Sequence, residues 1–334
     1  MSDHNCVVFN WNVRGLNNPA RRQVVRDLVV RNRASIVCLQ ETKLDSVDKR
    51  LILELLGPLF TDAFCLLPAD GTRGGIILAF SSDLFNIQSS STTANTVSAT
   101  IVMRASIASW SVTAVYGPQG DTEKMAFINE IKAIRPTMLP ALLLLGDFNL
   151  LCKAADKSNA TISRRLINAF TSALNSMELS ELRLHGRRFT WVSSCQLQTK
   201  TKIDHVFCTL DWGLLFPQCY LRALSSSVSD HCAMVLTGQI NHRRFRGFCF
   251  ENYWLKMRGF DDAVSNSWSE PCTHTNTMMI LHDKLSRLGR SLRCWSRKTV
   301  GNITLLSAAA EQIILGLDHA QDHRDLTIAE IGLR

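Results

Sequence analysis

The 334 residues carry a formal charge of +8 and 46% of them are apolar, which excludes a chain disordered throughout and allows one large domain, or one domain plus an extension. The basic balance suits a polyanionic partner such as nucleic acid. The eleven cysteines include no Cys-x-x-Cys pair, so a secreted disulfide framework and a structural zinc cluster are not expected; buried reduced thiols such as Cys38, Cys65 and Cys208 fit a nuclear or cytoplasmic protein.

The first residues, Met1 to Asn5, are polar and lack a cationic head before an apolar stretch, so no signal peptide is expected. Val7 to Val13 reads as a strand. Ala20 to Arg33 reads as an amphipathic helix, with Val24, Val25, Leu28 and Val29 on one face. Ser35 to Leu39 is a buried strand, and Val47 to Leu56 a helix stopped by Gly57-Pro58. Strands follow at Gly74 to Phe80, Ser98 to Met103 and Trp110 to Tyr116, with Ser89 to Thr96 read as an exposed loop. Met125 to Arg135 is a helix that ends before Pro136. Leu142 to Leu145 is a strand, far too short to cross a bilayer, so no membrane association is expected. A helix from Arg164 to Met177 precedes strands at Arg188 to Val192, Ile203 to Cys208 and Cys232 to Leu236. The alternation implies a mixed α/β domain over 1–240.

Composition changes near Asn241. A basic junction, His242 to Arg246, leads to an aromatic stretch, Phe248 to Trp254, and a long helical pattern begins near Thr277. It carries Arg287, Arg290, Arg293, Arg297 and Lys298. Residues 241–334 therefore read as a basic helical extension, and the absence of a helix stop before Arg334 suggests a chain cut from something longer. A fragment ending near Asn241 is expected to fold and to keep its hydrolytic activity, since every candidate catalytic residue precedes it.

Polar residues recur where strands end: Asn12, Glu41, Tyr116, Asp147 and Asn149, Asp204, and Asp230 with His231. Strand ends are where loops gather and ligands bind. Carboxylates and carboxamides are hard oxygen donors, suited to Mg²⁺ or Mn²⁺. Singly, each residue has a plainer role. Asn12 can cap the turn through Gly15, Glu41 can pair with Lys43, Tyr116 can end a core strand, Asp204 can pair with Lys202, and His231 can be a satisfied core histidine. Asp147 and Asn149 can be turn residues after Gly146.

Together, in order, they resemble the motifs of the endonuclease/exonuclease/phosphatase superfamily. The matching segments are Trp11-Asn12-Val13-Arg14-Gly15, Leu39-Gln40-Glu41-Thr42, Val115-Tyr116-Gly117-Pro118, Gly146-Asp147-Phe148-Asn149, Ile203-Asp204-His205 and Ser229-Asp230-His231. The resemblance spans about Val7 to Leu236. It implies a four-layer α/β sandwich like that of deoxyribonuclease I, two packed mixed β-sheets with helices outside, and metal-dependent cleavage of phosphoester bonds. Phe189-Thr190-Trp191, Asp211-Trp212, Phe250 to Lys256 and Trp295 to Ile303 resemble plant LINE-type retrotransposons, in which such segments link the endonuclease to a reverse transcriptase. No polymerase motif is present, so the resemblance implies a DNA-nicking endonuclease with its linker. A phosphatase acting on a phosphoinositide or another small phosphoester, and a domesticated nucleic-acid-binding remnant, are the competing readings.

By the same resemblance Glu41, with Asn12 and Asp230, would hold the metal. Asp147 would polarise the attacking water, Asn149 would hold that water or a phosphate oxygen, and Tyr116 would donate to the phosphate. Asp204 and His231 would form a carboxylate–imidazole pair, with Asp230 either a second ligand or the group orienting His231. His205 is expected on the opposite face of its strand. Arg14 stands where members acting on abasic sites carry an acid, and cannot ligate a metal. It is a candidate DNA contact together with Thr190, Lys200 and Lys202, with residues 196–200 as a hairpin tip.

Overall fold

A computed structural model describes residues 6–333, apart from 72, 106–107, 160, 194–197, 226–227, 239–253, 256, 258 and 273–276. The junction at 242–246, the aromatic stretch up to 253 and the start of the 196–200 tip lie outside the described residues. The chain divides into two compact units, Met1–Asn241 together with Ile314–Arg334, and His242–Ile313.

The first unit is built on two mixed sheets. One has seven strands in the order β10-β14-β15-β1-β2-β4-β3: Leu184–His185, Tyr220–Leu224, Ala233–Thr237, Val7–Asn12, Ile36–Gln40, Arg73–Phe80 and Phe64–Asp70. The other has six, in the order β5-β6-β7-β8-β13-β9: Phe85–Thr92, Thr96–Met103, Ser109–Tyr116, Leu142–Asp147, Asp204–Cys208 and Ser180–Glu181. A small hairpin, β11 (Trp191–Val192) with β12 (Lys200–Thr201), stands apart.

Alternation along the strands separates the layers. Val8, Cys38, Leu78, Val112, Ala114, Leu143, Leu145 and Val206 form the core shared by the two sheets. Val7, Phe9, Trp11, Val37 and Leu39 face the other way, toward α1 (Pro19–Arg31) and α2 (Lys49–Leu55). On the second sheet Leu142, Leu144 and Phe207 pack outward, against Phe127 and Ile131 of α3 (Asp121–Ile134) and Phe170 and Leu174 of α4 (Arg164–Ser176). The result is four layers, helix–sheet–sheet–helix, as the motif order implied. Side-chain caps start the helices: Asn18 accepts from Ala20 N before Pro19 enters α1, Asp48 accepts from Leu51 N at α2, and Ser163 accepts from Leu166 N at α4.

Three departures from the sequence reading have physical causes. Most of Ser89 to Thr96 is strand, not loop: β5 is an edge strand whose Ser and Thr side chains face solvent, so only its ladder shows what it is. The strand expected over 188–192 shrinks to Trp191–Val192, because the Arg188 N–H is taken by Asp322 Oδ2 and joins no ladder. Strand β14 and helix α5 (Leu210–Leu215) were not anticipated; both are short.

In the second unit α6 (Phe260–Ser269) and the residues of α7 (Thr277–His323) up to Ile313 surround a small core of Trp254, Phe260 and Leu292. Trp295 meets Trp254 and Phe260 edge-on. Residues of α7 from Ile314, and α8 (Ile328–Leu333), belong to the first unit. There Arg187 pairs with Asp318, which is why a segment read from sequence as extension groups with the sheets. Among the described residues no helix is long and apolar enough to cross a membrane.

Candidate active site

The site lies at one end of the sandwich, where both sheets deliver polar side chains on the parity of their shared core. In the second sheet, register places Tyr116 opposite Asp147 and Asp147 opposite Asp204, a row across β7, β8 and β13. Asp147 continues Leu143 and Leu145, and Asp204 precedes Val206, so both carboxylates face the other sheet. From the first sheet come Asn12 at the end of β1, Glu41 just past β2, and Asp230 and His231 just before β15. His205 lies on the opposite face of β13, packed against Phe148 and Phe170, as expected.

Asn12 is fully buried and ties the two sides together. Its Nδ2 donates to Asp147 Oδ2 at 2.9 Å and to Glu41 Oε2 at 3.2 Å, while its Oδ1 accepts the Arg14 N–H. That last bond fixes the amide orientation. Asn12 therefore turns its nitrogen toward the carboxylates and bridges them. Lys43 Nζ lies 3.2 Å from Glu41 Oε1.

His231 Nδ1 lies 2.9 Å from Asp204 Oδ2, and Nε2 lies 3.8 Å from Asp147 Oδ2. Asp204, not Asp230, orients the imidazole. Burial opposes a charged ring there, but Asp204, then Asp147 and Asp230, outweigh it and push the His231 pKa up to about 9. Asp147 is pushed up to about 7 by burial and by the charge of Asp204, against His231 and the N–H groups of Asn12 and Asn149. Tyr116 is held above its usual range by burial, then by the charges of Glu41 and Asp147. Asn149 adopts a positive φ of 50°; its N–H caps Asp147 Oδ1 at 3.0 Å and its Nδ2 donates to Gly117 O.

Asp230 receives Trp191 Nε1 at 2.9 Å and pairs with Arg14, whose side chain is half exposed. The other Asp230 oxygen, Oδ1, is buried without a hydrogen-bond partner, as is Oδ1 of Asp204. Asp147, Asp204 and His231 each bring one potential ligand atom to within 4.8 Å of the others, and with the unsatisfied Asp204 oxygen they make a hard, acceptor-rich set that fits a divalent cation. Arg14, Glu41, Asp147, Asn149, Asp230 and His231 line a cleft of about 800 Å³ with Leu150, Leu151, Ile162 and Trp191 among its walls.

Three of the four DNA-contact candidates are engaged elsewhere. Thr190 is fully buried, and its Oγ1 accepts from Ile203 N and Asp204 N. Lys200 is 5% exposed and donates to Arg324 O. Lys202 lies 2.5 Å from Glu181 Oε1. Arg14 alone of the four remains at the cleft. Trp191 and Lys43 were not named as site residues; the sequence marked Trp191 only within Phe189-Thr190-Trp191 and Lys43 only as a possible partner of Glu41, a pair that forms.

A second cluster, Cys152, Glu181 and His205, lies on the face of β13 that packs against Phe148 and Phe170. It is closed by its own bonds: His205 Nδ1 meets Glu181 Oε1 at 2.7 Å and Nε2 meets Leu150 O at 3.2 Å. Cys152 Sγ lies 3.8 and 4.0 Å from the two ring nitrogens, at hydrogen-bond distance for sulfur.

A model of the Endonuclease/Exonuclease/phosphatase family matches residues 9–231, more than half of the chain. The endonuclease domain of TRAS1, a telomere-specific non-LTR retrotransposon, is similar in structure with a TM-score of 0.53 and 16% identity over 71% of this chain and 99% of that one. The AP endonuclease LMAP from Leishmania major is similar with a TM-score of 0.54 and 12% identity, over 71% and 88%. D. rerio TDP2 complexed with a single-strand DNA product gives 0.51 and 12%, over 71% and 100%. No curated protein matches the sequence. These likenesses establish the fold.

Proposed function

The chain belongs to the endonuclease/exonuclease/phosphatase family, whose members hydrolyse phosphoester bonds, and from that premise we propose that it is a divalent-metal-dependent endonuclease that nicks one strand of DNA. The observation that carries the reading is Asp147, buried between the Asn12–Glu41 pair and the imidazole of an Asp204-bound His231, at the floor of an open cleft. The charge of +8 and the likeness to a retrotransposon endonuclease domain support DNA as the substrate. The segments resembling plant LINE-type elements support an origin in such an element.

A cation held by the Glu41 carboxylate with Asp230, Mg²⁺ or Mn²⁺ by the hardness of those donors, would supply Lewis-acid stabilisation of the phosphate. The remaining work falls to side chains. Asp147, with a pKa near neutrality, accepts the proton of the attacking water. His231, held as imidazolium by Asp204, sets positive charge against the phosphate oxygens. Asn149 fixes Asp147 through its backbone N–H, and the Tyr116 hydroxyl, kept protonated, donates toward the same phosphate.

The test is a supercoiled-plasmid nicking assay with the full chain, with and without Mg²⁺. Relaxed circles are expected only with the metal, and Glu41→Gln is expected to raise the metal concentration needed. Undiminished nicking in excess chelator, or hydrolysis of phosphoinositides with plasmid untouched, overturns the proposal.

A further inference from the structure

The last turns of α7 bury a polar face. Asp318, Gln321 and Asp322, at i, i+3 and i+4, are all buried, Asp318 completely. Each meets the chain entering or leaving the β11–β12 hairpin. Asp318 Oδ2 lies 3.3 Å from Arg187 Nη1, Asp322 Oδ2 accepts from the Arg188 N–H at 2.7 Å, and Gln321 Nε2 donates to Gln198 Oε1 at 2.6 Å. Past the helix end, Arg324 O accepts from Lys200 Nζ at 2.9 Å and Asp325 Oδ1 lies 3.5 Å from it. Arg187 and Lys200 are buried, so their charges face this segment.

The other side of the same hairpin is the active site. Thr190 Oγ1 takes the N–H groups of Ile203 and Asp204, and Thr190 O takes that of Cys232. Trp191 donates its indole N–H to Asp230, bridges His231 through the backbone, and is followed by Val192, whose N–H goes to Asp230 O. One short hairpin thus holds Asp204, Asp230 and His231, and is itself held from behind by residues 318–325. The two layers are close enough for the charges of Arg187, Asp204, Asp318 and Asp322 all to act on the Cys232 thiol, next to His231.

We propose that residues 318–325 are a positioning element of the active site, Asp318 and Asp322 above all: they fix the hairpin that sets the Asp204–His231 pair, so the hydrolytic site is completed by a segment outside the family match. The contacts favour positioning over an acidic segment masking a DNA-binding surface. Asp322 takes a backbone N–H and Gln321 a carboxamide, neither of which is a phosphate-binding cation, and Arg187 is buried beneath them.

The experiment uses full-length Asp318→Asn and Asp322→Asn. Its first arm, amide hydrogen exchange, does not depend on the nuclease reading. The amides of Asp204, Val192 and Cys232 are expected to exchange about tenfold faster, with amides of β7 and β8 unchanged. The second arm rests on that reading: single-turnover nicking is expected to slow roughly 10- to 100-fold while plasmid affinity stays within about twofold. Should Asp318→Asn fail to fold, Asp322→Asn, which leaves the Arg187 pair intact, decides the matter. Unchanged exchange at the three amides in a folded variant overturns the proposal, whether or not the parent nicks. Tighter DNA binding with faster nicking also overturns it, in favour of masking. A parent that never nicks removes the nuclease reading and leaves the exchange arm to stand alone.

Discussion

The mechanism we propose gives single residues in the cleft tasks that arise mainly in the transition state, so their loss should lower turnover more than binding. Asp147→Asn and His231→Ala are each expected to reduce nicking by about 10²–10⁴-fold with DNA affinity and melting largely kept, read by single-turnover kinetics beside gel-shift titration. His205 behaves differently, because it supports the loop after Asn149 from behind. Burial opposes its charge, but Cys152 and Glu181 outweigh that and push its pKa up to about 10. Burial likewise opposes the Glu181 carboxylate, and His205 with Lys202 bring it down to about 2. A raised histidine contributes stability that is complete below about 6.5, its free value, and is lost as pH rises toward 10; the lowered glutamate contributes stability complete above about 4.5 and lost toward 2. His205→Gln is therefore expected to cost about 3 kcal/mol at pH 6, by breaking a buried pair, and clearly less at pH 10. Equal losses in the two melting curves would show that the ring is not held as a cation.

At the scale of elements, the sequence made most of the sandwich legible because its strands are apolar on both faces or alternate cleanly: β1, β2, β7, β8 and β13 stand within a residue or two of the pattern. Capped helices α1, α2 and α4 were equally plain. Solvent-facing β5, with its run of Ser and Thr, carried no such signal, nor did the last turns of α7, where nothing in the sequence marks Asp318 and Asp322 as buried. Of the site, the strand-end residues and the Asp204–His231 and Glu41–Lys43 pairs could be named; that Asn12 presents Nδ2, and that Thr190 braces Asp204, depends on register. Register is also what Gly146 protects. It sits at φ 141° opposite Val115, and a Cβ would come within 2.1 Å of Val115 O. Gly146→Ala is expected to cost about 3 kcal/mol, as overpacking does, and to part β7 from β8 beside Tyr116 and Asp147. Chemical denaturation together with the nicking rate measures both effects; a variant as stable and as active as the parent would show that the strands yield freely.

For the whole molecule, the division of the chain matters more than its length. The sequence expects a fragment ending near Asn241 to be self-sufficient, but such a fragment lacks the partners of Arg187 and Lys200. It is expected to fold with a melting temperature about 5 °C below that of the full chain, and to nick more slowly. The order of strands adds a constraint in time. β1, the first strand made, is completed on one side by β2 and on the other by β15, which ends at Thr237. While the chain emerges from a ribosome, β1 keeps an open edge, and Asn12 lacks the neighbourhood of Asp147 and His231, until nearly the whole catalytic unit has been synthesised. A translation product that stops before Ser229 therefore lacks Asp230 and His231, and with them the strand that closes the open edge of β1.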